Sequence, residues 1–124
     1  MSAAGWVAFV LAGALGAPLR YLVETVIDEA WPGRFPAGTL VVNVTGSLLL
    51  GVVAGLALYH GFPQAPKVVL GTGFCGAYTT FSGFVYETAE MSQEGAAGPA
   101  ALNVLATIVL GLGAAAAGLA LAAL

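Results

Sequence analysis

Gly71-Thr72-Gly73-Phe74-Cys75-Gly76-Ala77-Tyr78-Thr79-Thr80-Phe81-Ser82-Gly83-Phe84 lies inside a segment otherwise apolar enough to cross a membrane. Its four glycines and four aliphatic hydroxyls are poor material for a lipid-facing helix. Gly weakens a helix by about 1 kcal/mol relative to Ala, and Ser and Thr compete for the backbone's own hydrogen bonds. Non-helical backbone at membrane depth persists only where it is packed in protein or lines a wet cavity. The stretch therefore reads as part of a pore that holds ions.

The rest of the chain supports a membrane setting. Of its 124 residues 60% are hydrophobic and only 7% charged, and the mean hydropathy is +0.97. Four apolar segments can be drawn, about 3–24, 38–59, 68–89 and 100–123, which make residues 1–124 a single all-α four-helix membrane domain. The second has 22 residues, about 33 Å at 1.5 Å each, enough to cross the hydrocarbon. The connectors are Asp28 to Pro36, His60 to Lys67, and Glu90 to Pro99. They leave no room for an extramembrane catalytic domain. With only three Lys and Arg there is no basic patch for nucleic acid. No basic residue precedes Trp6 and no cleavage pattern follows Leu15, so a cleaved leader is not expected.

An even number of spans places both termini and Lys67 on one side, with Arg34 and, near the membrane end, Arg20 on the other. One basic residue against two is too weak a bias to fix orientation. Charge leaves two readings open: one orientation winning by a small margin, or insertion both ways with assembly as an antiparallel homodimer.

Thr39, Asn43, Ser47, Gly51 and Gly55 recur every four residues along the second span, and Asn103, Thr107, Gly111 and Ala115 along the fourth. At the Gly and Ala positions these stripes read as close helix-packing faces. Asn43 is different, because a carboxamide in a span needs partners. It is either interhelical glue or a donor to an anion, and the residues alone leave both open. Phe81 and Phe84, three apart, fall on neighbouring helical faces; taken by themselves they read as core. Arg20 either reaches the interface and pairs with Glu24 one turn away, or draws anions toward a vestibule. Cys75, the single cysteine, reads as a small packing residue, and His60 as an interfacial one. Trp6, Trp31 and Tyr59 fit aromatic-belt positions. Glu87 and Glu90 close the third span toward solvent and are not arranged as an acid-base pair. No catalytic constellation is present, so the chain is not read as an enzyme.

Three ordered motifs carry a resemblance: Gly16-Ala17-Pro18-Leu19-Arg20-Tyr21, then Gly38-Thr39-Leu40-Val41-Val42-Asn43-Val44-Thr45-Gly46-Ser47, then Gly73 to Phe84. Together they resemble the signatures of the CrcB/Fluc fluoride channel family. The resemblance implies a multi-pass protein of a bacterial or archaeal plasma (inner) membrane that exports cytoplasmic fluoride passively. It further implies a third helix broken near its middle and an antiparallel, dual-topology dimer with two pores. The chemistry is consistent with these residues. Fluoride is small and tightly hydrated, so a pore must replace its water with donors: the Asn43 amide and the hydroxyls of Thr79, Thr80 and Ser82, with Thr39 and Thr107 as further pore-side hydroxyls. The rings of Phe81 and Phe84 can turn their positive edges to an anion, a weak attraction suited to conduction. By resemblance, Arg20 stands at the vestibule, and the carbonyls of Gly76 and Thr79 from two protomers hold a structural sodium ion. In the family's fourth helix a Tyr often stands four residues before a Ser, both polar pore-side groups; by resemblance Asn103 and Thr107 hold those pore-side positions here. That departure means either a pore lined slightly differently or a chain that pairs with a paralogous subunit. Intact Asn43, Phe81 and Phe84 favour a self-sufficient homodimer.

Two other classes share some of these features. A proton-coupled exporter of the small multidrug type has the size and the four spans, but needs a carboxylate deep in the first span, and Glu24 lies near its end. A non-transporting scaffold subunit has no use for Asn43 and a buried Thr-Thr-Phe-Ser-x-Phe run.

Overall fold

Ser2 starts the first helix. Its hydroxyl accepts from the Gly5 N–H at 3.1 Å, satisfying one of the donors that a helix start leaves unpaired. In a computed structural model describing all residues, Met1–Leu124, helix α1 then runs over Ala3–Ala30, well beyond the expected end at residue 24. The added turns have a use. Asp28 Oδ1 accepts from the Gly38 N–H at 2.9 Å, so α1 supplies the cap that Pro36 cannot give to α2 (Ala37–His60). Helix α2 ends where Gly61 takes a left-handed conformation, φ 63° and ψ 33°, the usual stop for a helix that continues into a turn.

The third span is four pieces in succession. They are α3 (Gln64–Val68), a π-helical stretch (Val69–Cys75), the single turn α4 (Gly76–Tyr78), and α5 (Phe81–Gln93). Between α4 and α5 the backbone is extended at Thr79 (φ −84°, ψ 162°) and Thr80 (φ −145°, ψ 120°). The break expected from the Gly/Thr-rich stretch therefore falls at Thr79-Thr80. The last helix, α6, spans Ala97–Ala122. There are no strands.

The helices run alternately up and down, which puts Met1, His60, Lys67 and Leu124 at one end. There His60 Nε2 donates to the Ala122 carbonyl at 2.6 Å. At the other end Arg34 forms an ion pair with Glu94. The tightest seam joins α2 to α6. A Cβ on Gly55 would lie 2.6 Å from the Ala122 Cβ, and Gly51 and Gly118 stand directly against the opposite helix's backbone. The small-residue stripe of α2 is thus a packing face from Gly51 onward.

Only 17 of the 124 residues are buried, and the exposed ones include Trp6, Val10, Leu15, Leu105, Ile108 and Leu112. That surface suits hydrocarbon. All four spans, Ala3–Ala30, Ala37–His60, Gln64–Gln93 and Ala97–Ala122, are long and apolar enough to cross a membrane.

Candidate functional site

The break is held from both sides. On α2, Asn43 Nδ2 donates to the Thr80 carbonyl at 3.0 Å, and the Thr80 N–H donates to Asn43 Oδ1 at 2.8 Å. One carboxamide thus satisfies both backbone groups of Thr80, as a neighbouring strand would. On α1, Arg20 donates to the Thr79 carbonyl at 3.3 Å. Of its two readings, the ion pair with Glu24 does not form, because the guanidinium extends to the break instead.

Two glycines let the break sit this deep. A Cβ at Gly16 would lie 2.7 Å from the Phe74 carbonyl and 3.2 Å from the Tyr78 nitrogen, and Gly46 stands directly against Thr79. Tyr78 fixes the turn before the break: its ring stacks on Phe74 at 5.5 Å and its hydroxyl lies 3.0 Å from Thr45 Oγ1. Beyond the break, Thr80 Oγ1 accepts from the Gly83 N–H at 3.0 Å and so starts α5.

An open cleft of about 540 Å³ runs along the break between α2, α5 and α6. Of the residues singled out in the sequence, it brings together Asn43, Gly76, Thr79, Thr80, Phe81, Phe84 and Thr107. Phe81 is 78% exposed, and its ring centre lies 6.0 Å from that of Phe84 at 49°. Ser82 stands just outside the cleft wall, its hydroxyl 3.3 Å from that of Thr80.

Thr39 and Asn103 lie elsewhere. Thr39 is buried and donates to Glu87 Oε1 at 2.6 Å, which turns that carboxylate inward rather than toward solvent. Asn103 is fully buried, and its Nδ2 donates to Thr88 Oγ1 at 2.8 Å. Sequence reasoning named Ser47 only in the α2 row, not as the cleft-lining residue it is, and it missed Thr88 altogether. Ser47 shares the four-residue row of Asn43, which was a usable signal. Thr88 had none, because a helical Thr ordinarily bonds only its own helix.

Nothing in the cleft is arranged for covalent chemistry. It offers an amide, hydroxyls and aromatic edges, without a fixed charge on its wall. The Thr80 N–H, which in an unbroken helix would bond the Gly76 carbonyl, is taken by Asn43, so that carbonyl is left without its helical partner. No group of three or more His, Cys, Asp or Glu side chains could hold a metal ion. Uncharged backbone carbonyls at the break are a donor type that a hard ion takes. The freed Gly76 oxygen fits that requirement. The Thr79 oxygen fits it through its second lone pair, the first being turned to Arg20.

These features define a small four-helix membrane protein with a polar, aromatic-flanked cleft at a broken helix. Residues 7–119 match the family described as CrcB-like protein, Camphor Resistance (CrcB). The chain belongs to the CrcB family. It is 46% identical to "Fluoride-specific ion channel FluC 1" of Streptomyces avermitilis over 88% of this chain and 89% of that one. It is also 46% identical to "Fluoride-specific ion channel FluC 1" of Frankia casuarinae, over 94% and 95% respectively. Identity to "Fluoride-specific ion channel FluC 2" of Mycobacterium tuberculosis is 42%, over 93% and 88%.

Proposed function

We propose that this chain is a passive, fluoride-selective channel that lets fluoride leave the cell across the plasma membrane. The observation that carries the reading is the cleft at the break, where Asn43, Thr107, Phe81 and Phe84 meet, in a chain closely similar to proteins named fluoride-specific ion channels. An exporter driven by protons would need a carboxylate on the pathway, and the cleft wall has none.

A fluoride ion entering the cleft gives up water and takes weak donors in its place. Asn43 uses one Nδ2 hydrogen on Thr80 and keeps the second for the ion. Thr107 offers a hydroxyl. Phe81 and Phe84 offer ring edges, which attract an anion without trapping it. The Thr79 hydroxyl is turned away, donating to the Cys75 carbonyl at 2.8 Å, so it is not offered to the ion.

The functional unit is an antiparallel homodimer. The cleft is open along one side, and Phe81 and Gly76 are exposed beside it, so a second protomer would complete the wall. In such a dimer the Gly76 and Thr79 carbonyls of both protomers would hold a sodium ion, whose charge would make the neighbouring pores more attractive to an anion. Exchanging sodium for choline in the detergent-solubilised protein is expected to lower its melting temperature. The loss would correspond to about 2.7 kcal/mol if sodium was present at a hundred times its dissociation constant. Equal melting temperatures in the two salts would remove sodium from the reading.

Fluoride efflux from liposomes holding this chain alone, read with a fluoride electrode against a chloride control, tests the function. Rapid efflux confined to fluoride is the expected result. Phe81→Ile and Phe84→Ile should each slow it roughly tenfold or more, the loss of an anion–ring attraction worth about 1.4 kcal/mol, while the dimer remains assembled. Unchanged flux in both variants would mean that the rings only pack. No efflux from folded protein, alone or with a paralogous chain, would overturn the channel reading.

A further inference from the structure

Helix α5 carries both pore phenylalanines, yet Met91 is its only buried residue. Apolar packing therefore does little to fix where Phe84 points, and polar ties must do more. One of them is a relay across two helices. Asn103 on α6 donates from Nδ2 to Thr88 Oγ1 at 2.8 Å, and the Thr88 hydroxyl donates in turn to the Phe84 carbonyl at 2.7 Å. The order is forced: a carbonyl only accepts, so the Thr88 hydrogen goes to Phe84 and its oxygen receives the amide. Hydrogen bonds in such a chain polarise one another. A threonine bonded to the carbonyl four residues back also bends its helix locally.

Asn103 is completely buried, and its Oδ1 has no hydrogen-bond partner. Leaving an acceptor unpaired in the interior is destabilising, and a leucine of similar volume would avoid it. What the carboxamide gains in return is the single bond to Thr88. We infer that Asn103 is a positioning residue: through the Thr88 hydroxyl it sets the turn of α5 that aims Phe84 into the cleft, without itself touching the ion. The significance of that aim rests on the reading of Phe84 as pore wall, whereas the positioning itself does not.

The test is a 4-fluorophenylalanine placed at residue 84 of the full chain in detergent, with a second at Phe62 in the connector as control, read by ¹⁹F NMR. Asn103→Leu and Thr88→Val should each move the residue-84 resonance in the same direction and leave the residue-62 resonance in place. The double variant should move it no further, since one relay is broken either way. Thr88→Ser, which keeps the hydroxyl, should restore the native position. In liposomes the two single variants should each lower fluoride efflux roughly tenfold, as the loss of one buried hydrogen bond would. A shift or loss of flux in Asn103→Leu without one in the nearly isosteric Thr88→Val would overturn the relay and put the amide on the pathway itself. No shift in either would leave Asn103 as mere packing and also overturn it. If the native chain carried no fluoride, the channel reading would fall while the NMR series still decided the positioning.

Discussion

Asn43→Leu is expected to abolish fluoride efflux and to destabilise the protein by about 2–4 kcal/mol, because it leaves two backbone groups at the break without partners. Both the N–H and the carbonyl of Thr80 depend on that one carboxamide. Each unpaired group would cost about 1–3 kcal/mol if it were dry, and less where the open cleft admits water. A loss confined to folding could be corrected for by comparing flux per folded channel. Asn43→Asp separates the two roles. The carboxylate still accepts from the Thr80 N–H, so folding should be kept better than in Asn43→Leu. It can no longer donate to the Thr80 carbonyl, and it places a negative charge on the cleft wall. Efflux should fall roughly a hundredfold or more, since about 2.7 kcal/mol of repulsion suffices for that. Reconstituted flux checked against melting temperature reads both. Normal flux in Asn43→Asp would take Asn43 off the ion's path and leave it as a structural clamp.

Gly118→Val should be among the most damaging single changes outside the cleft. Any Cβ at Gly118 meets the Leu48 carbonyl at once and lies 2.8 Å from the Val52 nitrogen. Those atoms are backbone, which cannot swing aside as the end of a side chain can, so the α2–α6 seam must open. Overpacking typically costs 1–3 kcal/mol, and about 3 kcal/mol or more is expected here because neither helix can yield locally. Gly113→Val provides the control on the same helix, since nothing lies within 4 Å of a Cβ there. Melting curves in detergent should show a large loss for the first and little change for the second. Equal losses would mean that α6 is sensitive to β-branching in general and that the seam is not the cause.

Both expectations rest on contacts that the sequence only outlined. Its reading found the four spans, the break and the identity of the α2 stripe as a close-approach face. It did not find the polar ties between helices. Asp28 capping α2, Thr39 turned to Glu87, and Asn103 turned to Thr88 each join residues from ten to 48 positions apart. Helical periodicity states which residues share a face but not which neighbour that face meets.

The two stripes show the limit. Residues four apart overshoot a full turn by about 40°, so a row of them winds around its helix. Thr39, Asn43, Ser47 and Gly51 belong to one row, yet they face Glu87, the break, the cleft and the α6 backbone in turn. Asn103 and Thr107 part in the same way, one to Thr88 and the other to the cleft. Composition and hydropathy determined that this chain crosses a membrane four times, and the glycine- and threonine-rich stretch determined where its third helix fails. Both are local consequences of what the backbone can satisfy without water. Only tertiary packing decided which polar side chains close the break and which line the cleft, because that depends on the angle at which each helix presents its slowly rotating row to the next.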